Sequence, residues 1–127
     1  MKTKKTILIV EDERILRETI HLGLEKEEFT VIEAKDGEEG LLISLKEHPD
    51  LILLDLIMPK MDGMTMLKKL RDTDDWGKTV PIIILTNLTS SDEQRNKDVV
   101  ELTPVYYLEK TQMDIDQIIE KINGILL

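Results

Sequence analysis

Short runs of apolar and β-branched residues alternate along this chain with longer stretches in which apolar residues recur at helical spacing, the pattern of repeated βα units around a parallel sheet. Five such runs stand out, Thr6 to Val10, Thr30 to Ala34, Leu51 to Asp55, Val80 to Thr86 and Val105 to Leu108. The central ones, LILLD and PIIILT, are apolar along their length, as strands covered on both faces must be. The pattern therefore predicts an α/β fold with helices on both sides of the sheet. Helix starts are signalled where Asp36 precedes Glu39, Ser91 precedes Gln94 and Asp114 precedes Gln117 by three residues, the spacing of a reciprocal cap. Five helices are expected to follow five strands. Asp72 to Thr79 reads as a polar loop around Trp76 and Gly77, closed by Pro81 at a strand start, where a missing N–H is tolerated. No repeat, linker or low-complexity tract divides residues 1–127, which read as one domain.

Composition narrows the function classes. A chain of 127 residues, 41% apolar and 34% charged, can bury a core of its own and is neither disordered nor membrane-spanning in character. The absence of cysteine excludes a disulfide framework and a thiolate metal site. Met1 to Thr6 is basic but leads straight into a strand instead of a signal-peptide core, so a cytoplasmic location is expected, with no membrane association. A net charge of −9 repels nucleic acid phosphates, which points to proteins as partners and away from direct nucleic acid binding.

In an open parallel sheet, ligand chemistry gathers outside the carboxyl ends of the strands. Here those ends are strongly polar: Glu11, Asp12 and Glu13 follow the first strand, Asp55 ends the third, Thr86 and Asn87 end the fourth, and Lys110 follows the fifth. Carboxylates converging on one small site repel unless a cation sits among them. With oxygen ligands and no His or Cys in the pattern, a hard ion that keeps several waters is expected, and Mg2+ fits best. Such a site suits phosphoryl transfer, in which a carboxylate is nucleophile, metal and lysine neutralise the phosphoryl oxygens and a threonine hydroxyl donates to one of them. Plainer readings exist for most of these residues. Asp12 would serve as a helix cap, Lys110 as a surface lysine, Thr86 as an ordinary β-branched strand residue and Tyr107 as packing. Asp55 has no comparable alternative, because an acid ending a buried apolar strand is costly without a partner. His21 and His48 lie in helical stretches without a supporting constellation and read as solvent-facing.

Several segments together resemble the receiver domain of two-component response regulators, over essentially the whole chain. ILIVEDE at 7–13 is similar to that family's first strand with its acidic pair, and LILLDLIMPKMDGM at 51–64 to the segment around its phosphoacceptor aspartate. PIIILT resembles the strand bearing the switch threonine, and YYLEK at 106–110 the strand with the switch aromatic and the lysine. The resemblance implies a doubly wound (βα)5 flavodoxin-like fold with strand order 2-1-3-4-5. It implies Asp55 as the aspartylphosphate site, with Lys110 and Thr86 assisting catalytically and Thr86 and Tyr107 as the switch pair. Glu11, Asp12, Asp55 and the Ile57 main-chain carbonyl are the implied Mg2+ ligands. It further implies a histidine kinase or histidine phosphotransfer protein as phosphoryl donor, and a downstream protein docking on the face of the fourth helix, fifth strand and fifth helix. Val99, Val105 and Ile125 on that face would also suit a homodimer. By this reading the chain is a signalling domain, not an enzyme acting on other substrates.

The chain departs from the family pattern at Asn87, at Thr103-Pro104 and at Thr111, all on the side that carries output. Two other function classes fit the sequence less well. A binding module of the same fold without phosphate chemistry would be encouraged only by those departures, and intact Asp12, Asp55, Thr86 and Lys110 argue against it. A phosphatase of the haloacid dehalogenase type would need an Asp where Ile57 stands, and a flavodoxin-type cofactor site would need a Ser/Thr/Gly-rich loop where the first strand ends in acids.

Overall fold

The computed structural model describes residues 4–86, 105–109 and 114–127. Five strands, β1 (Thr6–Val10), β2 (Thr30–Ala34), β3 (Leu51–Asp55), β4 (Ile82–Thr86) and β5 (Val105–Glu109), form one parallel sheet in the order β2-β1-β3-β4-β5. The helices among the described residues are α1 (Arg14–Lys26), α2 (Gly37–Glu47), α3 (Gly63–Arg71), a short α4 (Asp75–Thr79) and α5 (Ile115–Leu126).

Alternation along the central strands sorts the core into two layers. Ile52 and Leu54 of β3 join Leu8, Val10, Met66, Leu67 and Leu70 on the side of α2 and α3. Leu51 and Leu53 join Ile7, Ile9, Ile20, Leu24, Ile118 and Ile122 on the side of α1 and α5. Every residue of β3 is buried, which is why its sequence carries no polar alternation until Asp55. The register sets the chemistry: Val10 pairs with both Ala34 and Leu54, so the residues that follow β1 emerge level with the end of β3.

Several expectations are corrected. The segment read as a loop at Asp72 to Thr79 contains α4, because the Asp74 carboxylate accepts the Gly77 N–H at 2.6 Å and Arg71 holds the Gly77 and Val80 carbonyls, each at 2.8 Å. As a result β4 begins at Ile82 rather than Val80. Asp12 is not the cap of α1; that position is Glu13, which makes no side-chain capping bond. The full reciprocal cap forms at Asp114 and Gln117, while Asp36 caps α2 by accepting the Glu39 N–H at 2.8 Å. His48 is exposed as expected, though it packs on a neighbour, whereas His21 is partly buried. His21 lies 2.7 Å from Glu33, and His48 ends α2 in the left-handed region (φ 45°) with its ring stacked on Trp76 at 4.3 Å. The expected cap at Ser91 lies outside the described residues.

Candidate functional site

Asp55 ends β3 with only 6% of its surface exposed. Glu11, fully buried, and Asp12, exposed, follow β1 beside it. One carboxylate oxygen from each of the three lies within 4.8 Å of the others. That is the convergence expected from the strand ends, produced by the β1–β3 register. Two backbone donors fix the carboxylates from within their own segments: the Glu13 N–H lies 3.2 Å from Glu11 Oε2, and the Ile57 N–H 3.4 Å from Asp55 Oδ1.

The loop after Asp55 is folded back and tied at both ends. Gly63 N–H donates to the Leu56 carbonyl at 2.9 Å and Gly37 N–H to the Met61 carbonyl at 3.2 Å. A Cβ on Gly63 would overlap the Asp55 main-chain oxygen, so only glycine lets α3 start this close to the strand end. Lys60 takes a positive φ of 65° at the tip of the loop and lies 3.8 Å from the buried Asp36 carboxylate. Ile57, two residues past Asp55, sits on this loop with its side chain 64% exposed.

Three carboxylates sharing so small a volume, two of them buried, make an all-oxygen donor set suited to a hard divalent cation. Glu11, Asp12 and Asp55 fit Mg2+ as a group. Tyr107, on β5 opposite Ile84, packs against the α2–α3 layer of the core, and burial pushes its phenol pKa up, so it is a neutral hydroxyl at physiological pH. Tyr106 packs into the other layer, as alternation requires. Lys110 and the Thr86 side chain lie outside the described residues, as do Asn87, Thr103-Pro104 and Thr111. The same holds for Val99 and the Val105 side chain on the expected output face; Ile125 there is half-buried against the α1–α5 layer. One neighbour of the site was missed in the sequence: Arg17 of α1 donates to the Glu11 carbonyl and to Glu33 of β2. The charge of Glu33 inside the strand TVIEA was the available signal.

A family model described as the response regulator receiver domain matches residues 7–123. The chain belongs to that family. The receiver domain is 44% identical over 86 residues to a probable transcriptional regulator, ycf27, of Porphyridium aerugineum, an alignment covering 68% of this chain and 34% of that protein. It is 36% identical over 88 residues to the response regulator MprA of Mycolicibacterium vanbaalenii, covering 69% and 37% of the two. The chain thus spans about a third of the length of the curated relatives it matches. Among solved structures, chemotaxis protein CheY4 of Vibrio cholerae is similar with a TM-score of 0.85 at 25% identity, covering 98% of this receiver and 100% of that chain. The CheX–CheY–BeF3–Mg2+ complex of Borrelia burgdorferi contains a chain similar at TM-score 0.83 and 26% identity, covering 97% and 90%. The receiver is therefore a signalling domain of two-component systems. No helix among its described residues is long and apolar enough to cross a membrane.

Proposed function

We propose that residues 1–127 act as one cytoplasmic phosphorylation switch, with Asp55 as phosphoacceptor. The observation that carries this reading is a nearly buried aspartate ending an apolar strand, its carboxylate gathered with those of Glu11 and Asp12. An Asp55 carboxylate oxygen attacks the phosphorus of a phosphohistidine on a partner histidine kinase or histidine phosphotransfer protein. The new O–P bond forms as the N–P bond breaks, and the electron pair leaves with the imidazole nitrogen. Glu11, Asp12, Asp55 and the Ile57 carbonyl would hold Mg2+, which when bound neutralises charge on the carboxylates and the phosphoryl oxygens. A Mg2+-containing complex of a similar receiver supports the choice of ion. Buried Asp55 is desolvated and fixed by the Ile57 N–H, so the nucleophile is held in place before the donor arrives.

Lys110 would pair with a phosphoryl oxygen and the Thr86 hydroxyl would donate to another. Those contacts exist in only one conformation, so phosphorylation shifts the population towards it, and Tyr107 turns inward as Thr86 moves. The output partner docks on the face that includes β5 and α5, and the same face suits a homodimer. The test is intact mass after incubation with a small acyl phosphate and Mg2+. Wild type gains one phosphoryl group, while Asp55→Ala and a chelator-treated sample gain none; labelling of Asp55→Ala would refute the assignment.

A further inference from the structure

A line of charged groups runs from the acidic centre along the edge of the sheet. Arg17 donates from Nη1 to the main-chain oxygen of Glu11 and from Nε to Glu33 Oε1, both at 2.8 Å. The other oxygen of Glu33 lies 2.7 Å from His21 Nδ1, one turn further along α1, and His21 Nε2 lies 3.2 Å from Glu25. Both oxygens of Glu33 are engaged, and the Arg17 side chain is only 16% exposed. Stability gives little reason for this arrangement, since a largely desolvated ion pair contributes little net and an apolar pair would pack as well. Its geometry gives a better one. The Glu11 carbonyl belongs to the peptide plane that joins Glu11 to Asp12, and a rigid peptide held at its oxygen fixes the relative direction of both acid-bearing residues.

We propose that Arg17, oriented by Glu33, is a positioning residue for the metal centre: it locks the Glu11–Asp12 peptide so that the two carboxylates are presented together. This rests on the reading of the acidic trio as a Mg2+ site. The test is Mg2+ titration by calorimetry of wild type, Arg17→Met, Arg17→Lys and Glu33→Gln, with thermal melts in chelator alongside. Arg17→Met is expected to weaken Mg2+ binding roughly tenfold. Glu33→Gln shifts it less in the same direction, and Arg17→Lys, which keeps one donor, recovers part of the loss. In acyl phosphate labelling the half-saturating Mg2+ concentration rises by the same factor while the rate at saturating Mg2+ is unchanged. An Arg17→Met protein that melts lower but binds Mg2+ like wild type makes Arg17 a purely structural brace and overturns the proposal. Wild type that takes up no Mg2+ overturns the metal reading and this proposal with it. Should Arg17→Met fail to fold, Glu33→Gln decides: unchanged Mg2+ affinity there refutes the proposal.

Discussion

At the scale of single residues, the acidic trio brings like charges together at the end of the sheet. Glu11 and Asp55 are buried within reach of Asp12, and three like charges so close are an arrangement that stability alone would not retain. Asp55→Asn keeps the shape and removes one charge. It is expected to raise the unfolding free energy by about 1 kcal/mol in the presence of chelator. The advantage should shrink as Mg2+ is added, because the cation neutralises the wild-type cluster and not the variant's to the same degree. Chemical denaturation with and without Mg2+ checks this, and no gain in chelator would mean that a neighbouring cation already compensates the charge. Gly63 shows the opposite economy, a residue defined by what it lacks, since any side chain there would push on the Asp55 main chain.

At the scale of elements, the joint between α3 and β4 depends on one cation. Arg71 is 6% exposed and its Nη1 donates to the Gly77 and Val80 carbonyls, each at 2.8 Å. Burial pulls its pKa down to about 10, still well above neutral, so the guanidinium remains charged and closes both carbonyls. Arg71→Met leaves those carbonyls without this donor and is expected to cost about 2 kcal/mol, read as a lower urea midpoint with an unchanged slope. Because α4 lies before β4, at the end of the sheet away from Asp55, labelling of Asp55 in the variant should persist below its unfolding transition.

At the scale of the whole molecule, the two core layers hold a parallel sheet whose carboxyl ends gather acids, and the net charge of −9 extends that negative field. Some curated relatives of about three times the length are named as probable transcriptional regulators, yet this chain's net charge does not suit a phosphate backbone. No retardation of duplex DNA is expected in a mobility-shift assay at physiological salt, with or without phosphorylation, which only adds negative charge. Retardation by this chain alone would show a local basic surface that overrides the net charge.

Strand identity, the two-sided burial of β3 and the convergence of Glu11, Asp12 and Asp55 were legible in the sequence, because each rests on periodicity or on an acid placed where an apolar run ends. The helix at Asp75–Thr79 was not, since it is a single short turn carrying Gly77, held by the local contacts of Asp74 and Arg71 with Gly77 and not by a run of apolar residues at helical spacing. Nor was the role of Glu13 in place of Asp12 at the start of α1, which depends on where the chain turns after β1. By itself, then, the sequence determined the layers and the chemistry of the strand ends, which local pattern encodes. The tertiary structure alone decided the register that brings Val10 level with Leu54, the loop tied between Gly37 and Met61, and the reach of Arg17 to both Glu11 and Glu33. Contacts between distant segments leave no period in the chain, so only the packed molecule reveals them.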